Sequence, residues 1–174
     1  MHTEQSLALR TATAQDADLL AELGEQTFRE AFAAQNDPAD LATYLSNAFG
    51  PLQQATEMAE PGSTFLLAES GTEAVGYARL RVRETPACIG GDPLELARIY
   101  VLPGWQGRKV GSILMSACIA EAKYRDCRTL WLGVWERNPR AVAFYRRWGF
   151  QVVGQHYFQL GRDLQTDLLM ERSL

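Results

Sequence analysis

Leu94-Glu-Leu-Ala-Arg-Ile-Tyr-Val-Leu-Pro-Gly-Trp-Gln-Gly-Arg-Lys-Val-Gly-Ser112 reads as a strand, a tight glycine-bearing turn and the start of a helix. The order matters because the first turn of a helix carries backbone N–H groups with no partner inside the helix. Those donors, with the positive end of the helix dipole, seat a phosphate. Gly107 and Gly111 leave room for a pyrophosphate against the backbone, and Arg108 and Lys109 set positive charge beside it. The segment is neither a P-loop, which needs Gly-x-x-x-x-Gly-Lys-Ser/Thr, nor the dinucleotide fingerprint Gly-x-Gly-x-x-Gly. It reads as a seat for a phosphorylated cofactor; the alternative is a plain strand-to-helix turn without a ligand.

Inside the strand, Leu94 and Leu96 share one parity and Ile99 and Val101 the other. Either the apolar face switches at a bulge, which frees a backbone N–H for a ligand, or the strand is buried on both faces.

Downstream the elements alternate. From Val110, the residues Ile113, Leu114, Ala117 and Cys118 fall on one helical stripe. Leu130-Trp-Leu-Gly-Val-Trp135 is a continuous apolar run, as expected of a central strand buried on both faces. Asn138-Pro139 caps and opens a further helix that Gly149 stops, and Phe150–Val153 and Thr166–Glu171 read as closing strands. Upstream, Leu7–Thr11 reads as a short strand, Thr13 to Phe32 and Asp37 to Phe49 as helices, and Pro51–Glu60 as a short third helix. Thr64–Glu69 and Ala74–Arg83 flank Ser70-Gly71-Thr72-Glu73 as a hairpin. The whole is an α/β (α+β) chain with parallel pairing at the centre of its sheet.

At 174 residues, nearly half of them hydrophobic, the chain fits one domain, 1–174. A net charge of −4 argues against broad electrostatic binding to nucleic acid. Cys88, Cys118 and Cys127 are an odd number without a Cys-x-x-Cys pair, and His2 and His156 have no partner at metal-ligand spacing, so free thiols and no metal are expected. No signal-like start and no membrane-length apolar run is evident, which predicts a cytoplasmic protein without a membrane partner.

The turn resembles the acetyl-CoA motif Gln/Arg-x-x-Gly-x-Gly/Ala of the GNAT superfamily of N-acetyltransferases, with Gln106 first, Gly111 last, and Lys109 where the pattern has its middle glycine. Asn138-Pro-Arg-Ala-Val-Ala-Phe-Tyr-Arg-Arg-Trp-Gly-Phe150 is similar to the superfamily's Asn-x-x-Ala-x-x-Phe-Tyr-x-x-x-Gly-Phe, with every named position filled. The resemblance implies a mixed sheet of about six or seven strands with helices on both faces. It also implies a strand bulge whose amides, assigned to Tyr100 and Val101, receive the pantetheine arm. Acetyl-CoA would then be held by Gln106, Gly107, Arg108, Lys109, Val110, Gly111 and Ser112, joined by Asn138, Tyr145 and Arg147. Homodimers are frequent among such proteins.

Tyr145 continues the stripe Ala141, Phe144, Trp148, and spacing alone would leave it in the core. By resemblance it is instead the general acid that protonates the departing thiolate, a role open to a phenol. An ammonium must lose a proton before it attacks; Glu95 is the favoured carboxylate for this and Glu136 the other. Around Trp131–Asn138 and Gly154–Met170 the chain looks like bacterial spermidine/spermine N-acetyltransferases, although Gly161-Arg162-Asp163 stands where that group tends to read Gly-Asp-Asp. Glu30, Tyr44, Trp135, Glu136 and Asp163 are the candidates for holding a polyamine, while Phe28 and Phe32 are expected to serve the core. Other acceptors (an amino acid, an antibiotic, a protein amine) and a non-catalytic acyl-CoA-binding regulator are the alternatives.

Overall fold

The computed structural model describes residues 6–174, so His2 lies outside the described residues. Among the described residues seven strands form one sheet: β1 (Leu7–Thr11), β2 (Thr64–Ser70), β3 (Glu73–Arg81), β4 (Pro93–Val101), β5 (Thr129–Trp135), β6 (Gln151–Leu160) and β7 (Asp163–Ser173). Their order is β1-β2-β3-β4-β5-β7-β6, with β4 and β5 parallel and every other neighbour antiparallel. The helices are α1 (Ala17–Phe32), α2 (Pro38–Ala48), α3 (Pro51–Ala59), α4 (Val110–Tyr124) and α5 (Pro139–Arg147).

Alternation along the strands sorts two apolar faces. Leu80, Leu94, Leu96, Leu130 and Leu132 pack under α4, with Leu114, Met115 and Cys118 facing them and Val142 of α5 closing the layer. On the opposite face Phe65, Leu67 and Tyr77 meet Leu20 and Leu23 of α1, and Phe28, Leu41, Leu45 and Phe49 cluster beside them. Each Val, Leu or Phe buried in these layers contributes roughly 1.5–3 kcal/mol. Among the described residues no helix is long and apolar enough to cross a membrane.

Three local devices hold the elements in place. The Thr13 backbone donates to Asp16 at 2.7 Å, and Arg10 clamps the same carboxylate with two bonds of 2.8 Å. Asp37 accepts from the amides of Ala39 and Asp40 to cap α2, and Pro38 sits at the first helical position. On α3, buried Glu57 receives Arg98 at 2.5 and 3.0 Å and Arg79 at 3.1 Å, so two charged side chains of the sheet are paired beneath the helix.

The closing strands differ from the sequence expectation. They run over Gln151–Leu160 and Asp163–Ser173, far beyond Phe150–Val153 and Thr166–Glu171, and join in a tight hairpin at Gly161-Arg162. Gly161 takes φ 59°, the left-handed backbone that such a turn requires. The amphipathic run Tyr157–Leu160 is strand because it pairs residue for residue with Asp163–Thr166.

Candidate active site

The ladder between β4 and β5 covers only Pro93–Glu95 and Thr129–Trp131. Beyond it the strands part, because β4 carries an extra residue. Arg98 lies opposite Arg79 while Leu96 lies opposite Leu80, so Ala97 is bulged and the apolar face changes parity there. The bulge reading of this strand therefore holds, but it sits at Ala97, ahead of Tyr100 and Val101. Those two residues line the gap, and their strand edge toward β5 has no partner strand among the described residues. Backbone donors and acceptors left open in this way invite a ligand with amides of its own.

A cavity of about 970 Å³ passes through the gap and reaches both faces of the sheet. On the α4–α5 face it begins at the phosphate-type turn. Lys109, immediately before α4, adopts φ 66°, and Gly107 has φ 78° with open space where a Cβ would stand. Gln106 donates to the Val101 carbonyl at 3.2 Å, pinning the turn to the end of β4. Gly111 and Ser112 line the same mouth, and a Cβ on Gly111 would meet Phe144 at 3.6 Å. The Arg108 guanidinium stacks over Trp105 at 5.1 Å, and the Val110 side chain is buried in the core, which leaves only its backbone amide at the head of α4.

From α5, Asn138 caps its helix by accepting from the Ala141 amide at 3.2 Å, and it also lines the cavity with Tyr145 and Arg147. Tyr145 packs between Phe144 and Phe150, with ring centroids 5.5 and 5.9 Å away. Burial pushes its phenol well above the usual tyrosine range, so it is held protonated. The neighbouring Cys118 thiol is likewise pushed up to about 12 by burial.

On the other face the cavity widens into a chamber under α1 and α2. The Phe28 ring packs at a tilt against Phe32 and Tyr44, with centroids 4.5 and 4.7 Å away, and Tyr44 meets Phe158 at 5.3 Å and Phe32 meets Trp135 at 5.9 Å edge to face. Phe28 and Phe32 thus form the chamber wall as well as core. Glu30 and Glu95 face the chamber, but Arg81 takes both oxygens of Glu95 at 2.5 and 3.2 Å, with Arg83 at 3.7 Å. Glu136 is exposed beyond the end of β5 and Asp163 sits at the hairpin turn; neither lines the cavity.

With the geometry in place, comparison with known proteins decides the family. The family model described as "Acetyltransferase (GNAT) family" matches residues 22–150. An N-acetyltransferase of Lactobacillus delbrueckii subsp. lactis, named for its position in the pepI 3' region, is 35% identical over 155 residues, 87% of this chain and 88% of that one. This chain is a GNAT-family acetyltransferase. The N-alpha-acetyltransferase RimI of Mycobacterium tuberculosis is 30% identical over 170 residues, 93% of this chain and 91% of its own. Among solved structures, the PaiA N-acetyltransferase of Thermoplasma acidophilum in complex with coenzyme A superposes with a TM-score of 0.80 over 97% of this chain and 99% of that one, at 18% identity.

The GNAT fold therefore accounts for the gap. The enzyme uses acetyl-CoA, and its own residues fit that molecule: amides at the head of α4 for phosphate, an unpaired strand edge for the arm, and Phe144 and Val101 as apolar flanks. Sequence reasoning missed Arg81, Arg83, Arg140, His156 and Asp167 of this GNAT site. The last two were within reach, because a two-residue turn at Gly161-Arg162 puts His156 opposite Asp167 by counting outward along the hairpin.

Proposed function

We propose that the enzyme moves the acetyl group of acetyl-CoA to a primary amine of a small cationic molecule in one direct attack, with Tyr145 as general acid. The observation that carries this reading is the through-going cavity. Its α4–α5 mouth suits a phosphorylated donor, its aromatic chamber suits an amine, and the two meet only where β4 and β5 part. Aromatic faces attract an ammonium ion, and Glu30 and Asp167 add negative charge, which supports a polyamine as the first acceptor to test. In this reading Asn138 meets the amide-bearing arm of the cosubstrate, Arg147 and Lys109 its phosphates, and Glu95, fixed by Arg81, orients the acceptor.

A second acceptor class is favoured by one observation. Arg83 faces the chamber half exposed, held by a 3.7 Å approach to Glu95, a 3.4 Å bond to the Glu84 carbonyl and a contact with the Trp131 ring, so it suits an acceptor that also bears a carboxylate or carbonyl, such as an amino acid or a peptide end. Thiol release from acetyl-CoA, measured with spermidine, spermine, amino acids, an aminoglycoside, an alanyl peptide and a lysine peptide, separates the two. Turnover on polyamines alone supports the first class and turnover on the peptide end alone the second. Tyr145→Phe is expected to lower kcat by roughly 10²-fold or more, the usual contribution of a positioned acid, while the Kd for CoA changes little. Full activity in that variant removes Tyr145 from the mechanism.

A further inference from the structure

Gly133 is exposed in the middle of the sheet, although Leu132 and Val134 on either side are buried. It forms the floor of the acceptor chamber. Two polar side chains border the space above it. Asp167 of β7 stands opposite Trp135 of β5 on one side and His156 of β6 on the other, so the three share one row across the sheet. His156 Nε2 lies 3.5 Å from Asp167 Oδ2. A Cβ placed on Gly133 would stand 3.3 Å from that carboxylate oxygen and 3.4 Å from that ring nitrogen. A small donor resting on the glycine is therefore within reach of both groups.

We propose that this pair, His156 with Asp167, holds the acceptor ammonium over Gly133 and that the His156 imidazole takes its proton. The proposal rests on the reading of this chamber as the acceptor side. Asp167 suits the anchoring part, since among the described residues its partner is His156 and not an arginine, whereas both oxygens of Glu95 are engaged by Arg81. Histidine suits the accepting part, because a neutral imidazole keeps one ring nitrogen free to accept a proton and the His156 ring reaches the chamber part-exposed. Burial raises the Asp167 pKa, and proximity of His156 opposes that rise. The other ionisable groups lining the cavity around the pair are Glu30 of α1, Tyr44 of α2, Arg79 and Arg81 of β3, Glu95, Arg98 and Tyr100 of β4, and Arg83 and Arg140, while Cys88 lies over Gly154 of the histidine's own strand.

The step balances as follows. The ammonium gives one proton to His156, and the freed amine forms a C–N bond to the acetyl carbon as the C–S bond breaks. Sulfur takes the Tyr145 proton, the new amide nitrogen sheds its extra proton to restore the phenol, and His156 releases its own to solvent.

Two acceptors of nearly equal shape test the assignment: ethylamine, protonated at neutral pH, and 2,2,2-trifluoroethylamine, which is already unprotonated there. In thiol-release assays His156→Gln and Asp167→Asn are expected to lose roughly 10²-fold or more in kcat/KM with ethylamine, the scale of a lost general base, and only a few-fold with the fluorinated amine. Equal losses on both amines mean a structural role and overturn the proposal, as does a His156→Gln enzyme that retains ethylamine turnover. Wild-type enzyme that binds CoA but acetylates neither amine, nor any amine of the wider panel, overturns the acceptor reading itself; a working wild type with an unimpaired His156→Gln overturns only the pair.

Discussion

Lys109 offers a test in which backbone and charge pull apart. It occupies the left-handed region at φ 66°, immediately before α4, in the turn proposed to meet phosphate. A non-glycine residue there carries roughly 1–2 kcal/mol of steric strain. Glycine removes that strain but adds about 0.4–1 kcal/mol of freedom to the unfolded chain. Lys109→Gly should therefore stabilise the unliganded fold by about 0.5–1 kcal/mol, a rise in Tm of about 1–4 °C for a chain of this size. Lys109→Ala keeps the strained backbone while losing the same cation from the positive end of the helix, so it should melt below Lys109→Gly by that margin. Both variants lose the same cation beside the proposed phosphate, where an exposed ion pair contributes about 0.2–1 kcal/mol, or up to about 5-fold in affinity. Calorimetric CoA titrations should thus show equal weakening in the two variants, shrinking at high salt. A Lys109→Gly protein no more stable than Lys109→Ala refutes the strain, and unchanged CoA affinity in both refutes the phosphate seat.

Other expectations follow from single contacts. Gly133→Ala sets a methyl group 3.3 Å from Asp167 and 3.4 Å from His156; kcat/KM for an amine should fall about tenfold or more, with the CoA Kd within about twofold, the loss that follows when a small misplacement spoils alignment. Asp16 is held down to about 2 by hydrogen bonds from Arg10, below the ordinary value of about 3.9, so its contribution is present above that value and lost as pH falls toward 2. Asp16→Asn should lower Tm at pH 7, and the gap from wild type should close over that acidic window in thermal melts. The Tyr77 hydroxyl is buried without a hydrogen-bond partner among the described residues, so Tyr77→Phe should leave Tm unchanged or raise it by up to about 4 °C; a clear drop would mean that the hydroxyl is satisfied after all.

What was legible in the chain depended on the range of the forces involved. The head of α4, the cap at Asn138 and the stop at Gly149 are local, and the residues that make them lie within a few positions of each other. The parity change in β4 was visible as well, and only its cause needed a partner strand to decide it. Glu95 looked available because nothing in the sequence says that Arg81 lies across the ladder, holding both oxygens. Glu136 and Asp163 were read as carboxylates that a polyamine pocket would want, but the strand end and the hairpin turn leave them outside the cavity lining. Phe28 and Phe32 sit on an apolar stripe that serves two purposes, which periodicity cannot separate.

The three-residue ladder between β4 and β5 has a further consequence for how the molecule breathes. The sheet is in effect two antiparallel blocks, β1–β4 and β5–β7, spliced at Pro93–Glu95 and bridged by α4. Cooperative unfolding units follow such seams, so amide exchange should open the flank Leu132–Trp135 and the edge Ile99–Val101 ahead of the interiors of either block. A molecule lodged between them mends the seam. CoA should then slow exchange on both edges at once and raise Tm by mass action, so that the substrate serves for a moment as the strand the protein lacks.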